Sequence, residues 1–170
     1  MTKFTVKKGK HNFKPDKWCV WWKPKGINFN ATFHENANYD LEDADQLDWN
    51  KLVGLTWSLD PLKETAMVGW RYNKKDDTIE LNAYYHVDRS RDFTEPLVAI
   101  KRGESIYGYV IHDRKKKEYQ IGFHNDKVAA GHTLSSPNKR KVARLINPWF
   151  GGNESAPQDI SLDLNYKRIK

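Results

Sequence analysis

Nine side chains in this 170-residue chain combine flat rings with hydrogen-bonding groups at alternate positions. Arg71, Glu80, Asn82, Tyr84 and His86 form one group, and Tyr107, Tyr109, Gln120 and His124 the other. Rings stack on the flat apolar faces of sugars and bases, while Arg, Glu, Asn, Gln and His bond their polar rims. Gly69 and Gly122 fall on the same alternation and would leave a depression among the rings. The set predicts a face that binds a carbohydrate, or a sugar-phosphate or nucleotide. Tyr84, Tyr107 and Tyr109 would stack, and the others would bond the rim. An ordinary solvated sheet uses the same residue types, so the pattern needs a fold to give it meaning.

Other chemistries have weaker patterns. Glu80 and Asp88 flank a strand with His86 between them. Glycan hydrolysis needs two carboxylates at a set spacing across the substrate, and no second one can be placed opposite Glu80. The histidines (His11, His34, His86, His112, His124 and His132) show no metal-ligand spacing. The acidic run Asp40, Glu42, Asp43, Asp45 and Asp48 lacks the glycine and closing glutamate of a calcium loop, and reads as a solvated loop. The single cysteine, Cys19, excludes an intramolecular disulfide and a cysteine-based zinc site, and its apolar surroundings suggest an inert packed thiol. No cofactor and no metal is called for.

The elements that would carry these residues are strands. Short runs of Val, Ile, Tyr, Trp and Phe recur about every ten residues between turn signals such as "KPKG", "NKKDD", "KRGE" and "DRKKK". This spacing predicts an all-β, antiparallel sandwich or barrel, and the expected fold class is the antiparallel β-sandwich. Strands are expected near 17–23, 27–34, 51–58, 65–73, 77–87, 97–102, 105–113, 118–124, 127–132, 142–147 and 158–166. Residues 1–16 read as a basic arm or a loosely held edge strand, and 17–170 as a single sandwich domain. A short helical turn fits "DLEDADQLDW".

Two hairpins can be placed in register. Tyr72 opposite Ile79 gathers Ala66, Val68, Trp70 and Tyr72 with Ile79, Leu81, Ala83 and Tyr85 on one apolar face. The other face then pairs Arg71 with Glu80. Val110 opposite Ile121 turns Ile106, Gly108, Val110 and His112 inward with Tyr119, Ile121 and Phe123. The stretch "KWCVWWK" (17–23) is apolar on both sides, which predicts burial of most of its tryptophans, with Trp21 the one to be exposed.

Lys and Arg exceed Asp and Glu by 29 to 22, a formal charge of +7. That balance suits polyanionic partners and also plain solubility. Basic clusters stand at Arg114–Lys117, Asn138–Lys141 with Arg144, Arg89, Arg91, Lys101, Arg102 and the ending "YKRIK". Nucleic acid is therefore a further partner class through the basic loops. No signal peptide or membrane-length apolar run is visible, which predicts a cytoplasmic protein, or one packaged from a host cytoplasm.

Near the end, "NPWFGGN" is a loop in which Pro148 stops strand pairing and Gly151–Gly152 permit positive φ; Trp149 and Phe150 are expected to pack under the sheet. "PWFGGNESAPQDI", with "GWRYNKKDDTIELNAYYH" upstream, resembles a set of uncharacterised bacterial and phage proteins over about 50–164. The shared features are Gly69, Trp70 and Arg71, the "IELNAYYH" strand and the P-aromatic-FGGN-x-x-AP ending. The family often carries Tyr where this chain has Trp149 and His where it has Gln158. The resemblance implies a concanavalin A-like jelly-roll and carries over no catalytic residue. The resulting expectation is a non-catalytic module binding its ligand on the concave face of the sandwich. The alternatives are a phage-borne interaction or virion protein and a glycan-active hydrolase or lyase.

Overall fold

Alternating side chains with β-branched and aromatic residues build thirteen strands in the computed structural model, which describes residues 1–41, 44–136 and 140–170. They are β1 (Thr2–Val6), β2 (Val20–Trp22), β3 (Gly26–Phe33), β4 (Asn50–Thr56), β5 (Glu64–Asn73), β6 (Thr78–Val87), β7 (Ser90–Phe93), β8 (Val98–Ile100), β9 (Ser105–Asp113), β10 (Glu118–His124), β11 (Ala129–Ser135), β12 (Val142–Ile146) and β13 (Ile160–Ile169). One sheet runs β1-β13-β3-β9-β10-β11. The other runs β2-β12-β4-β5-β6-β7, with β8 also on β6. Every pairing is antiparallel, and the two sheets face one another across a single core, the architecture of a jelly-roll sandwich. A short 3₁₀ turn at Ala44–Leu47 stands where the acidic stretch suggested helix, and another at Glu35–Ala37 precedes that stretch; Glu42 and Asp43 lie outside the described residues.

Both hairpin registers hold. Tyr72 faces Ile79, Arg71 faces Glu80, and Val110 faces Ile121. Trp70 is fully buried against Phe33 (4.9 Å between ring centroids), Tyr39 (5.9 Å) and Phe150 (6.3 Å). Two strands go beyond the sequence pattern. The first residues form β1, whose Phe4 and Val6 are buried, so this edge is held by the core rather than loosely. The hydrophilic β7, "SRDF", joins the sheet edge through hydrogen bonding to β6.

The tryptophan-rich stretch is turned over relative to the expectation. Cys19 and Trp21 pack against the core, while Trp18 is 75% and Trp22 61% exposed, with Val20 also exposed. The cause lies in the partner strand. Trp21 sits opposite the small, buried Ala143, which leaves room for an indole, whereas Val20 sits opposite Arg144, which must face water. A three-residue edge strand has one neighbour, and that neighbour sets its inward face.

His112 ends the inward row of β9. Its Nε2 pairs with the Ser136 hydroxyl at 3.2 Å, and its ring meets Trp57 and Tyr119, each at 4.9 Å. Burial, helped by the nearby Arg114 charge, pushes its pKa down from 6.5 to about 4. The unfolded chain therefore takes up this proton first, and stability falls as pH drops from 6.5 toward 4. Denaturant unfolding at pH 5 should give about 2 kcal/mol less stability than at pH 7.5 from this residue. His86, also pushed down, adds in the same direction, and Glu64, pushed up by burial, opposes it. His112→Gln should remove the His112 share; an unchanged slope would place the proton elsewhere.

Candidate functional site

The nine ring and rim residues do not converge. Arg71, Glu80, Asn82, Tyr84 and His86 lie on the outward face of the seven-stranded sheet, and Tyr107, Tyr109, Gln120 and His124 on the outward face of the other. Their inward neighbours share the core, so the two groups look out from opposite sides of a sandwich whose sheets stack about 10 Å apart. Both supposed depressions are filled. The Asn82 carboxamide occupies the space over Gly69, and the Tyr109 ring lies across Gly122. Tyr84 is buried as a floor residue with Trp49 and Met67, and so offers no free ring face. Asn82 donates to the Thr94 carbonyl at 2.9 Å. Glu80 accepts from Arg71 Nε at 2.7 Å and from Asn73 at 2.8 Å, which ties up the acid that a glycan-active enzyme would have used. On the other sheet Tyr107 stacks on His124 (5.7 Å), and Gln120 donates to Glu118 at 3.4 Å.

Strand register assembles a different site on the seven-stranded sheet. One outward row runs Arg144, Thr56, Thr65, His86 and Arg91; the next runs Ile146, Gly54, Met67, Tyr84 and Phe93. Above these rows lies a groove of about 580 Å³ lined by Met67, His86, Lys51, Arg144, Trp18 and Trp149. A second hollow of about 510 Å³ continues past Trp18 and Arg144 to Val20, Trp22 and Val142. Phe150 is buried under the sheet as expected, but Trp149 is not. It lies outside, 39% exposed, stacked on His11 at 5.2 Å, and bridges Asn12 to Lys51 through its backbone. Gly151, directly after the two rings, has φ +70°, as the glycine pair there anticipated.

The groove's charged groups are two cations, Lys51 and Arg144, and one carboxylate, Asp16. Lys51 Nζ donates to the Gly151 carbonyl at 3.2 Å and stands 5.3 Å from the Tyr84 ring centroid. Burial lowers its pKa, and the neighbouring Arg91 adds to that while Asp48 opposes it. His86 meets Tyr84 edge-on at 5.4 Å and is 8% exposed; its Nδ1 has no partner among the described residues. Burial, then the Lys51 and Arg91 charges, push His86 toward its neutral form. The Arg144 guanidinium lies over the Trp18 ring at 4.9 Å, where the two hollows meet. Asp16 is the one carboxylate among the described lining residues of both hollows, and it accepts from Asn147 at 2.7 Å.

The sequence signal for this site was the "VARLI" alternation of β12, which turns Val142 and Arg144 outward and thereby Trp22 and Val20 too, with Trp18 exposed just before β2. The other basic clusters disperse. Arg102 pairs with Glu35 and Asp77, Arg89 with Asp60, and Arg114 donates to the Pro24 carbonyl. Asn138 and Lys139 lie outside the described residues, while Arg140 and Lys141 border the second hollow. Among the described residues no group of acidic, histidine or cysteine side chains is placed to hold a metal, and no helix is long and apolar enough to cross a membrane.

These features define a β-sandwich with a groove on one outer face. No protein-family model and no curated sequence matches the chain. Solved structures match its fold. A functionally unknown protein from Saccharomyces cerevisiae aligns over 99% of this chain and 89% of its own, with a TM-score of 0.60 and 10% identity. Scytalido-glutamic peptidase, solved with a transition state analog inhibitor, aligns over 90% of this chain and 81% of its own, with a TM-score of 0.51 and 13% identity. A toad ovary galectin in complex with thio-digalactose aligns at a TM-score of 0.42 and 8% identity, over 89% of this chain and 99% of its own. At such identities the likeness concerns the fold alone.

Proposed function

We propose that this protein is a non-catalytic glycan-binding module whose ligand lies along the groove over Trp18 and Trp22. The observation that carries the reading is the outward exposure of two tryptophans, Trp22 in β2 and Trp18 just before it, where two hollows meet. Positions 18 and 22 are four residues apart, about 13 Å along an extended chain, which is the span of a short oligosaccharide. Large exposed indoles cost solubility and recur where flat apolar faces must be met. The groove offers stacking faces and donors, and with Asp16 held by Asn147 it offers no opposed pair of acids, which favours binding over hydrolysis.

Trp18→Ala and Trp22→Ala should each weaken oligosaccharide binding about tenfold in titration calorimetry, near 1.4 kcal/mol, while leaving thermal stability almost unchanged. Undiminished binding in the double variant would defeat the reading. A protein partner is the second reading, favoured by the exposed Leu59 and Val142, which extend the apolar strip beyond the rings. It predicts self-association or complex formation in sizing light scattering that Leu59→Glu abolishes.

A further inference from the structure

The groove's described lining carries Lys51 and Arg144 against one carboxylate, Asp16, which already accepts from Asn147, and we infer that the groove's ligand is an acidic glycan, whose carboxylate or sulfate group is held by Lys51 and Arg144 beside His86. This inference rests on the reading of Trp18 and Trp22 as the sugar platform, and it adds the charge of the sugar.

Three observations lead to it. First, Lys51, Arg91 and Arg144 stand on this face, and none of them makes an ion pair with a described carboxylate. A half-buried ammonium with no described carboxylate in ion-pair contact is costly to maintain, the more distant Asp48 offsets only part of that cost, and an incoming anion removes more of it. The lowered pKa of Lys51 records the same penalty. Second, His86 is more than nine-tenths buried and lines the groove with its Nδ1 unpartnered, next to Arg91 in register. Third, the Arg144 guanidinium lies over the Trp18 ring without an ion pair among the described residues, which puts its N–H donors where a planar or tetrahedral anion beside a stacked sugar ring would meet them.

The imbalance of donors and acceptors points the same way. Neutral sugar hydroxyls both donate and accept, so a site for them needs carboxylates and carbonyls as well as cations. Here Asp16 is the described carboxylate of the lining and is already engaged. An acidic sugar brings its own acceptors and meets an excess of donors.

The test compares oligogalacturonate with its fully methyl-esterified form, which keeps the sugar and removes the charge, and adds a sulfated oligosaccharide of similar length. Titration calorimetry on the intact protein should show the acidic form binding at least tenfold more tightly than the ester. The margin should narrow as salt rises. The carboxylate and sulfate arms tell which anion the site takes. Lys51→Gln should erase the preference, and Arg144→Gln, at a half-buried position, should reduce it even if the Lys51 variant folds poorly. Equal affinity for acid and ester, with Trp18→Ala still weakening both, would overturn the charge inference and leave the platform standing. Binding of no glycan at all would remove the platform and this inference together. A single-stranded oligonucleotide that outcompetes every acidic sugar would also overturn it.

Discussion

Trp70→Ala should lower the unfolding free energy by about 3–5 kcal/mol, whereas Trp18→Ala should change it by less than about 0.5 kcal/mol. The two residues are chemically identical, so the contrast measures environment alone. Trp70 is fully enclosed by Phe33, Tyr39 and Phe150, and its removal leaves a void that those rings cannot fill without leaving their own contacts. Trp18 is mostly in water, and what it loses is the Arg144 contact. In thermal unfolding the Trp70 variant should melt about 10 °C lower. Equal effects at the two positions would contradict the inward assignment of β5 and, with it, the outward assignment of β2.

Breaking the Arg71–Glu80 pair should be nearly as damaging. The two side chains are 18% and 11% exposed, and Arg71 also donates to the Leu47 carbonyl (3.1 Å) and lies over the Trp49 ring (4.3 Å). Arg71→Met leaves the Glu80 carboxylate with Asn73 as its remaining partner and should cost about 2–3 kcal/mol, somewhat below the range for a fully buried pair. Adding Glu80→Gln to that variant should recover much of the loss, because the stranded charge is gone. A double-mutant cycle from urea titrations should therefore show coupling of at least about 1 kcal/mol. Additive effects would mean that the pair acts through packing only. Neither change should alter sugar binding, because the pair sits beyond the groove.

What could be read from the chain follows from what alternation can encode. The β5–β6 and β9–β10 registers were legible because a one-residue slip would put Trp70 or Ile121 in water. Sheet membership was not legible. Two hairpins with the same inward-greasy pattern look alike whether they lie side by side or back to back, and here they lie back to back, which splits the nine expected site residues between two faces. β2 misled for a related reason. With apolar residues at every position, period two has no phase, and the phase came from Ala143 and Arg144 more than 120 residues later. β7 was invisible because its residues are hydrophilic and its place comes from backbone pairing with β6. His86 was the one expected site residue that lines the groove, and Trp18, Trp22, Lys51 and Arg144 were missed as members of it.

The position of β13 between β1 and β3 carries a consequence for biosynthesis. Both lie more than 120 residues before it in the chain, yet β1 takes its neighbour from β13, and β3 takes one of its two neighbours from β13 and the other from β9. On the ribosome both must wait as unsatisfied ladder edges until Ile160–Ile169 has left the exit tunnel. Native assembly of that sheet then waits on a long-range closure and is slow for the sheet's size, and a nascent chain stalled before β13 is a client for chaperones rather than a nearly finished domain.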